Sequence, residues 1–316
     1  MPVSGEKPAV DAILLKVMES VPFQLTTDGG VEEARRRFRD IPRVEVHPEV
    51  RSEDRVIEGP AGSIPIRVYW PDTDRDTPLP VVVFIHGGGW SVGDLETYDG
   101  IARRHVVGAN AIVVSIDYRL APEHPYPAAV DDAWAATQWV AEHATELGGD
   151  PDRLAVAGDS AGGNLAAVIS QLARDAGGPR IVFQLLWYPA TTFDTTLPSF
   201  TENADAPILD VDGCKGCTRW YIGDLDTSDI PPTLAPARAT DLTGLPSAYI
   251  AVAGHDPLRD DGMRYAELLG AAGVPVETHN AETLVHGYTG YDGVVPAATE
   301  ATKKGLSALR RALHPA

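Results

Sequence analysis

The chain has 316 residues, of which 44% are hydrophobic, so it is long enough to bury one large core. Its formal net charge of −19 opposes binding to nucleic acid or to an anionic membrane, because a binder of either must neutralise negative charge. We therefore expect neither nucleic acid nor a membrane among its partners.

The N-terminal segment, residues 1–40, is predicted to be helical to about Phe38. Its apolar stretch around residues 9–18 is interrupted by Asp11 and Lys16, and no basic start precedes a clean apolar run. The sequence thus indicates neither a signal peptide nor a transmembrane segment, and we expect a cytoplasmic protein.

Short apolar runs with β-branched residues alternate with helix-length segments along the rest of the chain. The runs predict strands at 64–70, 80–85, 111–116, 154–157, 181–187, 248–253 and 274–277. The segments between and after them predict helices at 95–107, 127–143, 161–176, 261–272 and 297–313. This alternation predicts an α/β fold with a mostly parallel central sheet covered by helices on both faces.

A run of three glycines follows the second predicted strand, in the sequence His86-Gly87-Gly88-Gly89-Trp90. Glycines let backbone N–H groups face a ligand without interference from Cβ atoms, which an oxyanion hole requires. Taken alone, such a run is equally typical of a plain flexible loop.

The pentapeptide Gly158-Asp159-Ser160-Ala161-Gly162 separates a predicted strand from a predicted helix. A sharp strand-to-helix turn crowds its neighbours, so small residues are needed around it. The turn holds Ser160 clear of the sheet at a helix N-terminus, where negative charge is favoured. Ser160 is therefore a candidate nucleophile.

Residues 195–236 do not fit the alternation of strands and helices. They are polar and rich in Asp and Pro, with a helical patch at 214–222 and no strand pattern. Together with residues 1–40 they are predicted to form a cap over the carboxyl ends of the strands, where ligands bind in open α/β sheets. The catalytic core then comprises residues 41–194 and 237–316.

Cys214 and Cys217 form the only CxxC motif and the only cysteines. Two thiols supply at most half of a tetrahedral zinc site, so we expect no metal. Two interpretations stay open at this stage, a pair of reduced structural cysteines and a regulatory disulfide.

The glycine loop and the serine pentapeptide are together a known signature of α/β-hydrolase lipases and esterases. The chain resembles the hormone-sensitive-lipase-like family of bacterial carboxylesterases at these motifs and at three more, which are Asp117-Tyr118-Arg119-Leu120-Ala121-Pro122-Glu123, Trp187-Tyr188-Pro189 and Asp256-Pro257-Leu258-Arg259-Asp260. The resemblance spans about residue 65 to the C-terminus. It implies an α/β-hydrolase fold and a serine carboxylesterase that needs no cofactor and acts on small, short-acyl esters.

The resemblance also implies roles for single residues. It assigns the oxyanion hole to the backbone N–H groups of Gly88, Gly89 and Ala161, and gives His86 a structural role under the glycine loop. Members of the family often pair through a sheet edge, which leaves a homodimer open.

The catalytic triad of this fold runs in the order Ser, acid, His. Asp256 follows the apolar run 249–254 at the carboxyl end of a predicted strand and is the candidate acid. Asp260 and Asp261 compete for the role, but they begin the next predicted helix, where capping and the helix dipole account for them. Asp159 is predicted to serve a structural role, because its place in the strand-to-helix turn points its side chain away from Ser160.

Four histidines follow Ser160. His255 precedes the candidate acid, His279 falls within a predicted strand, and His314 belongs to the C-terminal tail. His286 remains, in the loop 283–288 after the last predicted strand, and is the candidate base.

Trp90, Tyr188 and Trp220 are candidates for lining the substrate pocket, with plain core packing as the alternative for each.

Two other functions compete with the carboxylesterase. An arylformamidase-type amidase would use the same site and also carries an HGGxW loop, which His86 to Trp90 satisfies. A small-molecule receptor on a hydrolase scaffold is the non-enzymatic alternative, but such receptors lack the catalytic histidine, whereas His286 is present here.

Overall fold

The central element of the computed structural model is an eight-stranded sheet, and the structure describes residues 7–72, 77–225 and 229–315. The strands are β1 (Arg51–Gly59), β2 (Gly62–Trp70), β3 (Leu79–Ile85), β4 (Ile112–Ile116), β5 (Gly149–Asp159), β6 (Ile181–Trp187), β7 (Ser247–His255) and β8 (Val276–Val285). Their order across the sheet is β1-β2-β4-β3-β5-β6-β7-β8. Strands β3 to β8 pair in parallel, whereas β2 pairs antiparallel with both β1 and β4. The predicted α/β fold with a mostly parallel sheet is confirmed.

The described helices are α1 (Ala12–Ser20), α2 (Val31–Arg39), α3 (Asp99–Ala109), α4 (Ala128–His143), α5 (Ala161–Asp175), α6 (Pro198–Glu202), α7 (Val211–Ile222), α8 (Arg259–Ala271) and α9 (Pro296–Leu313). Short 3-10 turns lie at Pro236–Arg238 and Tyr288–Tyr291. No helix in the described part of the chain is long and apolar enough to span a bilayer.

Alternate side chains of β3 enter two hydrophobic cores, one on each face of the sheet. Val81, Val83 and Ile85 belong to the core that includes side chains of α4, α5 and α8. Val82 and Phe84 belong to the core that includes side chains of α3 and α9. A strand buried on both faces reads as a continuous apolar run, which explains why the pattern revealed β3.

The sequence pattern did not predict β1, and it predicted a strand only at 274–277 where β8 extends to Val285. Both are edge strands with mostly polar or half-exposed side chains, and Ile57 is the only buried residue of β1. Such strands carry a weak hydrophobic pattern because water covers much of their surface, and pairing with β2 or β7 determines their structure.

The N-terminal helical prediction is correct in kind but missed a break. Gly29 and Gly30, which both have positive φ, lie in the loop between α1 and α2. Part of the predicted cap, residues 1–6 and 226–228, lies outside the described residues, as do 73–76 and 316 of the predicted core.

The described parts of the two predicted cap segments contact each other. The backbone N–H of Leu25 donates to the carbonyl of Ile208 at 2.8 Å, and Gln24 and Ile208 form a parallel β-bridge. A Cβ on Gly216 would lie 2.4 Å from the hydroxyl oxygen of Thr27, so α7 approaches the N-terminal segment closely.

Candidate active site

Ser160 occupies a sharp turn between β5 and α5, with φ 55° and ψ −117°. The backbone of a non-glycine residue in this region is strained and is held there by its surroundings. A Cβ on Gly158 would lie 2.2 Å from the carbonyl oxygen of Gly162, so the turn has no room for a side chain there. The small residues around Ser160 are therefore required by the close approach of backbone on both sides of the turn.

Gly162 provides a test of this crowding. A Cβ there would lie 2.0 Å from the carbonyl oxygen of Ile85 and 2.5 Å from that of His86, and neither can move without shifting the end of β3. We expect Gly162→Ala to lower the free energy of unfolding by about 3 kcal/mol, measured by urea denaturation.

Gly270→Ala is the matched control for this prediction. Gly270 also lies in a helix, α8, but a Cβ there would have no neighbour within 4 Å. The same substitution should leave stability unchanged or raise it by up to about 1 kcal/mol. Equal stability losses in the two variants would contradict the crowding argument.

Ser160, His286 and Asp256 form a continuous chain of hydrogen bonds. The Ser160 hydroxyl lies 2.9 Å from His286 Nε2, and His286 Nδ1 lies 2.7 Å from Asp256 Oδ2. The three side chains come from the ends of β5, β8 and β7, because the carboxyl ends of parallel strands lie at one edge of the sheet. All three are buried, with exposed fractions of 8%, 5% and 0%.

A backbone hydrogen bond also fixes the Asp256 carboxylate. Its second carboxylate oxygen accepts a 2.8 Å hydrogen bond from the backbone N–H of Leu258. One oxygen therefore faces the imidazole while the other is fixed by the backbone.

The competing acids lie elsewhere. Asp260 accepts hydrogen bonds from the Arg259 side chain and from the backbone N–H of Ser199. Asp261 is buried and accepts from the backbone and hydroxyl groups of Thr191 and Thr192, which fixes the chain after β6. Neither carboxylate has a hydrogen bond to His286.

Two of the other histidines after Ser160 contact backbone carbonyls instead. His255 Nε2 contacts the carbonyl oxygen of Pro8, and His314 Nε2 contacts that of Ala109. His279 lies within β8.

Asp159 supports the glycine loop. Its carboxylate accepts a 2.9 Å hydrogen bond from the backbone N–H of Gly87 and a 3.2 Å hydrogen bond from the hydroxyl of Tyr98. Burial raises the pKa of Asp159 to about 6 despite these donors. The carboxylate thus fixes the start of the loop rather than facing the serine.

The glycine loop follows β3 in a conformation with positive φ at Gly88 (103°), Gly89 (58°) and Trp90 (57°). In the described part of the chain, no backbone carbonyl outside the helices and strands accepts from the N–H of Gly88 or Gly89. Ala161 is the first residue of α5, so its N–H has no partner within the helix. Gly89 and Ala161 line the same cavity as Ser160. Unpaired N–H groups beside a buried hydroxyl form the arrangement that binds an oxyanion.

His86 lies beneath this loop and is fully buried. Its Nδ1–H donates to the carbonyl of Gly87 at 2.8 Å, and its ring stacks on Tyr118 with centroids 4.3 Å apart. Burial lowers the pKa of His86 to about 4, so the ring is neutral near pH 7. These contacts give His86 a packing role.

A cavity of about 270 Å³ opens next to Ser160. Its wall is mainly apolar and comes from segments far apart in the chain, which supply Leu25, Trp90, Ala190, Phe193, Phe200, Leu209 and Leu258. Trp90 is held in place by stacking on Tyr221, with ring centroids 4.3 Å apart and planes 3° apart.

Tyr188 and Trp220 do not line this cavity. Tyr188 is fully buried, its hydroxyl is hydrogen-bonded to Thr289, and its ring packs against that of His286 with centroids 4.8 Å apart. Trp220 is half-buried against the hydrophobic core. Of the three aromatic candidates, the structure brings only Trp90 into the cavity wall.

Cys214 and Cys217 are free thiols on α7, and both line the cavity. A Cβ on Gly89 would lie 2.6 Å from Cys217 Sγ, so this thiol packs directly on the glycine loop. Burial raises the pKa of both thiols, that of Cys217 to about 12, which keeps them neutral near pH 7. In the described part of the chain, no three His, Cys, Asp or Glu side chains group in a way that could hold a metal ion.

Comparison with known proteins gives consistent matches. A family model described as the alpha/beta hydrolase fold matches residues 82–290. The chain is 65% identical to the esterase LipI of Mycobacterium tuberculosis over 312 residues, which cover 98% of each chain. It is 60% identical over 314 residues to the carboxylesterase NlhH of the same organism, again covering 98% of each.

A solved structure agrees with these relatives. The thermostable esterase of Pseudomonas putida ECU1011 superposes with a TM-score of 0.91 at 35% identity, covering 99% of this chain and 100% of the other.

Proposed function

The chain belongs to the α/β-hydrolase family of hormone-sensitive-lipase-like carboxylesterases. We propose that it hydrolyses small carboxylic esters by means of Ser160, His286 and Asp256. The observation that carries the proposal is the pair of hydrogen bonds of 2.9 Å and 2.7 Å that link the three side chains. Nucleophile, base and orienting acid within hydrogen-bond reach are the geometric requirement for acyl transfer.

The mechanism follows from which atoms face each other. As Ser160 Oγ attacks the ester carbonyl carbon, its proton passes to His286 Nε2, and Asp256 stabilises the resulting imidazolium through Nδ1–H. The negative charge on the former carbonyl oxygen is stabilised by the backbone N–H groups of the oxyanion hole, assigned to Gly88, Gly89 and Ala161.

Collapse of this tetrahedral intermediate completes the first half of the reaction. The bond to the alcohol oxygen breaks, His286 gives its proton to the leaving alcohol, and the acyl group stays on Ser160. Water then attacks the acyl carbon while His286 takes its proton. The bond between Ser160 Oγ and the acyl carbon breaks, the acid leaves, and His286 returns the proton to Ser160 Oγ.

We assign the described parts of residues 1–40 and 195–236 to a cap over this site. In support, Leu25 of the first segment and Phe200 and Leu209 of the second line the cavity beside Ser160. The cavity of about 270 Å³ and its apolar wall suit a short acyl chain or a small alcohol. A cytoplasmic location and pairing of two chains through a sheet edge remain predictions.

The proposal predicts a preference for short acyl chains. We expect the hydrolysis of p-nitrophenyl esters to be fastest between acetate and hexanoate and at least about tenfold slower for palmitate, because methylenes that do not fit cost about 1–3 kcal/mol each. The measurement is kcat/KM across the series from acetate to palmitate. Phe200→Ala should move the optimum to longer chains, since Phe200 lines the cavity.

Ser160→Ala, run beside each substrate, separates enzymatic from background hydrolysis. A flat or rising profile up to palmitate would contradict the assigned cavity size. Faster Ser160-dependent hydrolysis of formyl anilides than of acetate esters would point to the amidase instead.

A further inference from the structure

Arg35 of α2 forms hydrogen bonds between the predicted cap and the loop that follows the three glycines at 87–89. Its Nε–H donates to the carbonyl of Ser91 at 2.9 Å, and its Nη2 donates to the carbonyl of Ala121 at 3.1 Å. The side chain is only 15% exposed. The guanidinium therefore joins a helix of the first predicted cap segment to two separate core segments.

Glu123 orients this guanidinium. Its two carboxylate oxygens accept from Nη1 at 2.8 Å and from Nη2 at 2.6 Å, which is bidentate pairing. Glu123 is 46% exposed, so we attribute little stability to the ion pair itself. Its effect is to fix the plane of the guanidinium so that Nε–H and the second Nη2–H meet the two carbonyls, while the second Nη1–H donates to Glu32 at 3.2 Å.

The two residues whose carbonyls bind Arg35 also form hydrogen bonds with the glycine loop. The backbone N–H of Ser91 donates to the carbonyl of Gly88 at 3.1 Å, and the backbone N–H of Ala121 donates to that of Trp90 at 2.9 Å. Arg35 thus binds the carbonyls of the same two residues whose N–H groups hold the loop at Gly88 and Trp90. Glycines adopt positive φ freely, but Trp90 at φ 57° is a non-glycine residue in a strained conformation, so surrounding contacts must hold this end of the loop.

We propose that Arg35 is a positioning residue that fixes the oxyanion-hole loop from the cap, so that the hole is fully formed only while α2 is in place. This inference rests on the proposed function, because it concerns the donors that stabilise the tetrahedral intermediate. It assigns Arg35 no contact with substrate.

The test compares Arg35→Ala with two arginine variants on or next to the same helix. Arg36→Ala is the surface control, since Arg36 pairs with Glu33 and Asp40 on α2 and at its end. Arg43→Ala is the anchoring control, because Arg43 donates to carbonyls at the end of α2 and to that of Thr97, but not to the loop.

Three quantities are measured for each variant, namely kcat and KM with p-nitrophenyl acetate and Ki for a trifluoromethyl ketone. The ketone forms a tetrahedral adduct on the nucleophile, and its oxyanion occupies the hole. For Arg35→Ala we expect kcat to fall about tenfold and Ki to rise by a similar factor, with KM within about threefold, because the donors lose alignment with the oxyanion.

The controls make the inference specific. Arg36→Ala should stay within about twofold of wild type in kcat and in Ki, and Arg43→Ala should lower the melting temperature while leaving Ki within about twofold. Arg35→Lys should recover part of the loss, since an ammonium reaches some but not all of the acceptors.

Two results would overturn the inference. One is a folded Arg35→Ala variant with kcat and Ki within twofold of wild type, and the other is an equal rise of Ki in Arg43→Ala, which would indicate general loosening of the cap. If Arg35→Ala does not fold, Arg35→Lys and Glu123→Gln are judged by kcat and Ki with the same limits. A wild-type enzyme without Ser160-dependent turnover would instead overturn the proposed function.

Discussion

Ser160→Ala should lower kcat for p-nitrophenyl acetate by about 10⁶-fold, the largest effect that we expect of any single substitution. The hydroxyl lies 2.9 Å from His286 Nε2, so its loss removes both the attacking atom and the proton that the base accepts. Alanine is small and fits the crowded turn, so the fold should be retained. The measurement is steady-state hydrolysis, with a thermal melt to verify folding.

His286→Ala and the double variant test whether the two residues act as one unit. If they do, each single variant should lose about as much as the double variant, rather than the product of the two losses. Turnover in folded Ser160→Ala within tenfold of wild type would show that another residue carries the reaction.

Asp256→Asn should lower kcat by about 10⁴-fold at neutral pH, the second of the two large effects. Asp256 is fully buried and lies 2.7 Å from His286 Nδ1. An amide can donate a hydrogen bond to Nδ1, which would move the imidazole proton to Nε2, where it faces Ser160 and prevents proton uptake. The side chain keeps its size, so the fold should survive.

Asp260→Asn is the matched control for this prediction. Asp260 lies four residues further along, pairs with Arg259, and has no hydrogen bond to His286. We expect its kcat to stay within about threefold of wild type. A loss in Asp260→Asn equal to that in Asp256→Asn would show that the acid has been assigned to the wrong carboxylate.

The arrangement of the proposed catalytic side chains was largely predictable because each one follows a strand. Ser160 is marked by small residues that a tight turn requires, and Asp256 by its place after a long apolar run. Parallel strands bring their carboxyl ends to one edge of the sheet, so residues separated by 126 positions, such as Ser160 and His286, meet there.

The cavity wall could not be predicted in the same way. Leu25, Phe193 and Phe200 have no common spacing or motif, and each is an ordinary apolar residue by sequence. Tyr188 was a reasonable pocket candidate because it lies beside the site, but its side chain points to Thr289 instead. Which face of a loop residue meets the cavity depends on packing, which local sequence does not record.

By itself, the sequence determined the α/β class, the inner strands and the turn at Ser160, because continuous apolar runs and obligatory small residues are local properties. Only the tertiary structure decided the edge strand β1, the lining of the cavity and the contacts of Arg35 with Ser91 and Ala121. These features depend on which distant segments pack together, since polar edge strands and cap residues acquire their partners only when the chain is folded.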